Sequence, residues 1–167
     1  KTLDDASFLS EAIAIGALCR RYGVPFIVND RPDIAKEAGA DGVHVGLSDM
    51  GIEKARAYLG DGFIIGGSAH NVQEALAAQA AGADYIGCGA VFGSSTKTDA
   101  TNRSLEELQA ICRTVKIPAV AIGGIRLDNV QRLKGSGIAG VAVISGLFAA
   151  EDKKEAVRNF LDSEKCF

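Results

Sequence analysis

Six short apolar runs in this chain are each followed by residues that could do chemistry. After Phe26-Ile-Val come Asn29 and Asp30. After Val43-His-Val45 come Gly46, Ser48 and Asp49. After Phe63-Ile-Ile65 come Ser68 and His70. After Tyr85-Ile-Gly-Cys88 comes the loop Gly93-Ser-Ser-Thr-Lys97. After Ala119-Val-Ala-Ile122 come Gly123 and Gly124. After Val141-Ala-Val-Ile144 come Ser145 and Gly146. The set holds two carboxylates, a lysine, several hydroxyls and two glycine-rich ends. That inventory suits a diphosphate bound with Mg²⁺. Magnesium takes hard oxygens, commonly one or two carboxylates plus substrate phosphates. Lysine is a compact point charge for phosphate. Glycines let backbone N–H groups approach an anion, and a helix N-terminus adds a favourable dipole.

Taken singly, each residue has a plainer reading. Asp30 could cap a helix starting near Pro32, and Asp49 one starting near Gly51, as readily as either could bind a metal. Asn71 reads as a helix cap, with Glu74 at the capping-box position. His44 sits inside a strand, where a lone histidine is usually a satisfied core residue. Lys97 alone reads as a solvated loop charge, and Gly123-Gly124 alone as a tight turn. The joint placement at successive strand ends favours the functional reading.

The elements that must position these residues alternate helix and strand. Phe8, Leu9, Ala12, Ile13, Ala17 and Leu18 give helical spacing over residues 5–21, ended by Gly23. Further helices are predicted near 32–38, 51–59, 72–81, 104–115, 128–134 and 153–161. Pro25 and Pro118 each open a strand, where a missing N–H is tolerated. The segments Ala38-Gly-Ala-Asp-Gly42, Ala81-Gly-Ala-Asp84 and Ser136-Gly-Ile-Ala-Gly140 recur before strands, each reading as a helix-ending glycine and a tight turn. The strands are continuous apolar runs, the mark of a parallel sheet covered on both faces. Near-repeats at roughly 20–30 residues favour a closed barrel over an open sheet. Barrel chemistry gathers at the C-terminal strand ends, and phosphate sites often follow strands seven and eight.

The fold class expected is α/β, a TIM (β/α)₈-type barrel whose first two strands are missing from this chain. A complete barrel has eight strands and ~250 residues, whereas the sequence offers six strands in 167 residues. Residues 1–167 then form a single (β/α)-barrel domain, incomplete at its N-terminus. Two open sheet edges would favour association, so a homo-oligomer is within expectation.

Composition excludes several classes. Hydrophobic residues make up 47% and charged residues 23%, enough for a core and unlike a disordered chain. Net charge is −3 with no basic stripe, so no nucleic-acid partner is expected. No apolar stretch approaches the ~20 residues that cross a bilayer, so no membrane partner is expected. Neither a signal peptide nor a paired-cysteine motif appears. Cys19, Cys88, Cys112 and Cys166 read as reduced thiols of a cytoplasmic protein, with Cys88 in the core.

The ordered set Val28-Asn-Asp30, Gly42-Val-His-Val-Gly46 with Asp49, Gly67-Ser-Ala-His70, Gly82-Ala-Asp-Tyr85, Ser94-Ser-Thr-Lys97, Ile122-Gly-Gly-Ile125 and Val143-Ile-Ser145 resembles the thiamine-phosphate synthase family over nearly the whole chain. Close to that family stands the thiazole tautomerase. The resemblance implies a transferase of thiamine biosynthesis. It would join hydroxymethylpyrimidine diphosphate to hydroxyethylthiazole phosphate, in its carboxylated form, giving thiamine phosphate and pyrophosphate. It also implies Mg²⁺ on Asp30 and Asp49. Asn29, Ser68 and Lys97 would contact the pyrimidine diphosphate, with Ser68 and Lys97 catalytic. Ser94, Ser95, Thr96, Gly124, Ile144 and Ser145 would hold the thiazole phosphate. Lys1 takes the last place of the family's Gln-x-Arg-Glu-Lys pattern. Leu47 stands where the family usually has Gln, and Gly93-Ser94-Ser95 where it usually has prolines and a threonine. The tautomerase alternative would use a histidine near His70 and no metal, so the aspartate pair favours the synthase. A non-catalytic phosphate-binding barrel is the more distant alternative.

Overall fold

A computed structural model describes residues 3–46, 51–93 and 105–164. They fall into two compact units, one within Lys1–Gly67 and Ala80–Asp84, the other within Ser68–Gln79 and Tyr85–Phe167. The elements are α1 (Asp5–Tyr22), β1 (Ile27–Asn29), α2 (Pro32–Glu37), β2 (Gly42–Val45), α3 (Ile52–Leu59), β3 (Ile64–Ala69) and α4 (Val72–Ala80). There follow β4 (Tyr85–Cys88), α5 (Leu105–Thr114), β5 (Ala119–Ile122), a 3₁₀ turn (Val130–Leu133), β6 (Gly140–Ala142), α6 (Ser145–Phe148) and α7 (Lys153–Glu164). The chain is α/β. Strand order along the sheet follows chain order. β1 pairs in parallel with β2, β2 with β3, β4 with β5, and β5 with β6. This arrangement is consistent with a TIM-like barrel.

In the first unit α1 is set by its ends. Asp4 accepts the Ser7 N–H at 2.9 Å, and Gly23 closes the helix at φ 66°. Both are standard devices for the unpaired groups of helix termini. Val28, Val43, Val45 and Ile65 of three strands pack with Ile34, Ala35, Ala55 and Leu59 of the covering helices.

Strand starts in this unit are tied by carboxylates. Asp41 donates its N–H to the Phe26 carbonyl at 2.9 Å, and its Oδ2 accepts the Phe26 N–H at 2.7 Å. Asp84 repeats the pattern on Ile65, donating at 2.8 Å and accepting at 2.7 Å. The recurring Ala-Gly-Ala-Asp segments therefore do more than turn the chain. Each aspartate satisfies both backbone groups of a residue at the start of a neighbouring strand, groups that would be costly to leave unpaired. Arg56 binds the second lock, reaching Asp84 at 2.7 Å and the Phe63 carbonyl at 2.7 Å. The third segment keeps only the backbone half, Ala139 N–H to the Ala119 carbonyl at 2.8 Å.

The second unit buries Ile86 and Cys88 of β4, Ala119 and Ala121 of β5, Leu108 and Ile111 of α5, Val130 and Leu133 of the 3₁₀ turn, and Phe160 of α7. The Asn71 cap is present. Asn71 Oδ1 accepts the Glu74 N–H at 2.8 Å, and Asn71 Nδ2 donates to Glu74 Oε1 at 2.9 Å.

Two expected elements differ. The helix expected at 128–134 is a single 3₁₀ turn, because Gly135 and Gly137 adopt φ 72° and 86° and stop it. The strand expected at 141–144 ends at Ala142. Ile144 leaves the extended region at φ −113°, ψ −78° and becomes the N-cap of α6.

Replacing Asp84 with alanine should test the lock. Asp84→Ala removes a half-buried N–H partner and the Arg56 ion pair together, and is expected to lower unfolding stability by about 1–3 kcal/mol. Urea denaturation reads the change; a loss below about 0.5 kcal/mol, the range of an ordinary surface substitution, would remove Asp84 from this role.

Candidate active site

Parallel pairing sends the strand exits of each unit to one edge. In the first unit that edge carries Asn29 and Asp30. Asn29 is the exposed last residue of β1, in register with His44. Asp30 is half-buried and has φ 63°, the only non-glycine residue with positive φ among those described. Its N–H donates to the His44 carbonyl at 2.8 Å, which fixes the turn. Aspartate tolerates this left-handed conformation better than most residues, yet it still costs of order 1 kcal/mol. Such outliers concentrate at functional sites. The capping alternative for Asp30 does not hold, since Arg31 occupies the N-cap of α2.

Arg31 itself is fully engaged. It makes a forked pair with Asp33, at 2.9 and 2.6 Å, and reaches Asp5 at 2.6 Å. The Asp33 bonds, then Asp5, hold its guanidinium well above the ordinary range, while the Arg31 bond holds the Asp33 carboxyl below its own. Arg31 thus neutralises two acids flanking Asp30. Nothing in the sequence pattern singled it out.

In the second unit, Ser68 stands half-buried near the end of β3. His70 follows it, held by Glu74 through its N–H at 2.6 Å and its Nδ1 at 3.0 Å. Between β4 and the expected loop Gly93–Lys97 lie Val91 and Phe92, whose N–H groups donate to the Ile122 and Gly123 carbonyls at 3.0 and 3.1 Å. Gly123 and Gly124 turn sharply there, at φ 100° and 66°. A Cβ on Gly124 would meet the Gly93 carbonyl oxygen, and the Phe92 oxygen at 2.9 Å, so only glycine fits. Ile144 is 53% exposed and Ser145, also exposed, is the first residue of α6. A Cβ on Gly146 would lie 2.8 Å from the Ile125 carbonyl oxygen. The glycine turn after β5 and the start of α6 therefore adjoin.

Gly124, Ile144 and Ser145 are thus gathered at one end of the second unit. Asn29, Asp30 and Ser68 each lie at a strand exit. Lys1, Asp49, Ser94, Ser95, Thr96 and Lys97 lie outside the described residues. Among the described residues no group of three or more His, Cys, Asp or Glu is disposed to hold a metal. No helix among them is long and apolar enough to cross a membrane.

Cys19, Cys88 and Cys112 are free. Burial, with a smaller effect of Cys112, pushes the Cys88 thiol up to about 12.

Parallel strands with glycine-rich, hydroxyl-bearing exits define an α/β enzyme of the TIM-like, phosphate-handling class. The fold is shared with a 3-hexulose-6-phosphate synthase, at TM-score 0.69 and 17% identity over 91% of this chain and 80% of that one. A family model described as thiamine monophosphate synthase matches residues 1–147. The chain is 49% identical to the thiamine-phosphate synthase of Fusobacterium nucleatum, over 96% of this chain and 78% of the relative. Against that of Ruminiclostridium cellulolyticum it is 46% identical, over 97% and 77%. The thiamine phosphate pyrophosphorylase of Pyrococcus furiosus superposes at TM-score 0.92 with 39% identity, over 99% of this chain and 79% of that one. The chain belongs to the thiamine monophosphate synthase family.

A thiol so far above its ordinary range stays protonated and unreactive near neutrality. Iodoacetamide at pH 8 is expected to leave Cys88 unmodified in the native protein and to modify it after unfolding. Peptide mass spectrometry reads the outcome; native labelling of Cys88 at the unfolded rate would show that the burial does not protect it.

Proposed function

We propose that this chain is a thiamine-phosphate synthase, a transferase that joins hydroxymethylpyrimidine diphosphate to hydroxyethylthiazole phosphate in its carboxylated form. Family membership supports the reaction. The observation that carries it at the level of geometry is the junction of the Gly123-Gly124 turn with the start of α6 at Ser145. The first N–H groups of a helix have no partner within it, and beside a glycine turn they make an anion site of backbone donors. Gly124, Ile144 and Ser145, with Ser94, Ser95 and Thr96, would hold the thiazole phosphate there. Asn29, Ser68, Lys97 and Lys1 would hold the pyrimidine diphosphate.

In the reaction, the bond from the pyrimidine methylene carbon to the diphosphate oxygen breaks, and pyrophosphate leaves with the electron pair. The pyrimidine amino group spreads the positive charge left on the carbon. The thiazole nitrogen then supplies the pair for the new carbon–nitrogen bond, and the ring carboxylate leaves as CO₂, a proton taking its place on the ring carbon. Lys97 and Ser68 would stabilise charge gathering on the leaving oxygens. Fixing the thiazole phosphate at its own end would hold the ring nitrogen in position to attack. No protein nucleophile is needed, in keeping with the inert Cys88.

Magnesium fits the donors. Mg²⁺ uses few protein carboxylates and completes its shell with substrate oxygens and water. Asp30, a strained acid at a strand exit that is not a helix cap, suits that role, with Asp49 as its partner. Bound there, the ion would neutralise charge on the departing pyrophosphate. The tautomerase alternative, which would use a histidine near His70 and no metal, is less well supported, because the chain has both Asp30 and Asp49.

We also read the six strands as part of a TIM (β/α)₈-type barrel whose first two strands lie outside this chain, with residues 1–167 as one barrel domain. The partial span of its relatives supports that reading. Free cysteines and a biosynthetic role support a cytoplasmic location.

Pyrophosphate release is expected only when both substrates and Mg²⁺ are present. Release without the thiazole phosphate, or none at all, would overturn the synthase. Asp30→Asn and Asp49→Asn are each expected to lower turnover at least roughly tenfold, the lower bound for disturbing a metal site. Wild-type rates in both would sink the metal assignment. Lys97→Ala should weaken use of the pyrimidine diphosphate above all, and unchanged kinetics would remove Lys97 from the site.

A further inference from the structure

We infer that Asn129 is a positioning residue for the thiazole phosphate, acting through the Gly124 peptide. The inference rests on the reading of Gly124 and Ser145 as the phosphate end.

Asn129 stands at the N-cap of the 3₁₀ turn Val130–Leu133, yet its side chain makes no cap hydrogen bond. It points back instead. Its Nδ2 donates to the Gly124 carbonyl at 2.9 Å, and its Oδ1 accepts the Arg126 N–H at 2.9 Å. Its own N–H donates to the Arg126 carbonyl at 3.1 Å. One half-buried amide therefore joins both ends of the segment Gly124-Ile-Arg126.

That segment needs a clamp. Two successive glycines at φ 100° and 66° have the largest conformational freedom any dipeptide can have. Backbone donors serve as an anion site only if their directions are fixed beforehand, because ordering them on binding subtracts from affinity. A peptide is planar and trans, so its carbonyl and the following N–H point in opposite directions. Holding the Gly124 carbonyl toward Asn129 thus fixes the plane of the Gly124–Ile125 peptide and the direction of the Ile125 N–H. The Ile125 carbonyl, in the next peptide, lies against Gly146, and Asn129 holds that peptide through the Arg126 N–H, so the same amide also sets how the turn meets the start of α6. The role needs an amide. Aspartate keeps the acceptor for Arg126 but has no donor for Gly124.

The test is steady-state pyrophosphate release with each substrate varied in turn, on the wild type, Asn129→Ala and Asn129→Asp. Both variants are expected to raise KM for the thiazole phosphate about tenfold, the effect of one lost hydrogen bond. KM for the pyrimidine diphosphate and kcat at saturation should stay within about twofold, as for an independent site. A purely structural role would lower kcat through loss of folded enzyme, or raise both KM values together; either result overturns the inference, as does an unchanged KM for the thiazole phosphate. If Asn129→Ala does not fold, Asn129→Asp decides alone, since it keeps the Arg126 bond. A wild-type enzyme that releases no pyrophosphate fails at the control and overturns the synthase reading instead.

Discussion

The fold rests on how parallel strands are held in register at their starts. A parallel ladder has no hairpin to set its alignment, and a slip of one residue would turn every side chain to the opposite face. In the first unit the alignment is held by carboxylates. Asp41 closes a two-bond ring with Phe26, and Asp84 closes one with Ile65. Each bond is to a backbone group, so the lock fixes position along the strand rather than side-chain packing. Arg56 orients the Asp84 carboxylate through its pair at 2.7 Å.

The strand exits are built on the opposite policy. Where the starts in the first unit are closed by paired hydrogen bonds, the exits carry left-handed turns, strained at Asp30 and freely variable at the two glycines until a neighbour holds them. Asp30, Gly123 and Gly124 all have positive φ. Each is restrained by a neighbour: Asp30 by the His44 carbonyl, Gly123 by the Phe92 N–H, and Gly124 by Asn129.

Much of this was legible in the chain. Five of the six strands and most helices fall within a residue or two of their predicted bounds, because continuous apolar runs separated by glycine turns leave few other foldings; the third strand runs on through Gly66 and Gly67 to Ala69, past its apolar run. Asn71 and Glu74 read correctly as a cap because capping is local, three residues apart. What escaped was either short or distant. Helix α6 has four residues, two of them the serine and glycine that read as a loop, and the apolar run before it looked like more strand. Asp41 and Asp84 read as turn residues because their partners lie 15 and 19 positions away. Asn129 looked like part of a helix, since nothing in its neighbourhood reveals that its amide turns back toward Gly124.

The strand exits of the two units rest on different physics. At the β1 exit the candidate ligand is a side chain, Asp30, whose carboxylate can be removed without altering the backbone that presents it. At the Gly123-Gly124 turn and the start of α6 the exit offers backbone N–H groups, which no side-chain change short of proline removes. Otherwise that exit is altered by moving the chain, through a Cβ where Gly124 has no room or through loss of the Asn129 clamp. Side-chain chemistry at such a site is visible as motif, whereas backbone chemistry is visible only as the glycines and clamps that shape it. That exit is therefore expected to tolerate variation at its side chains more readily than at the residues that set its backbone.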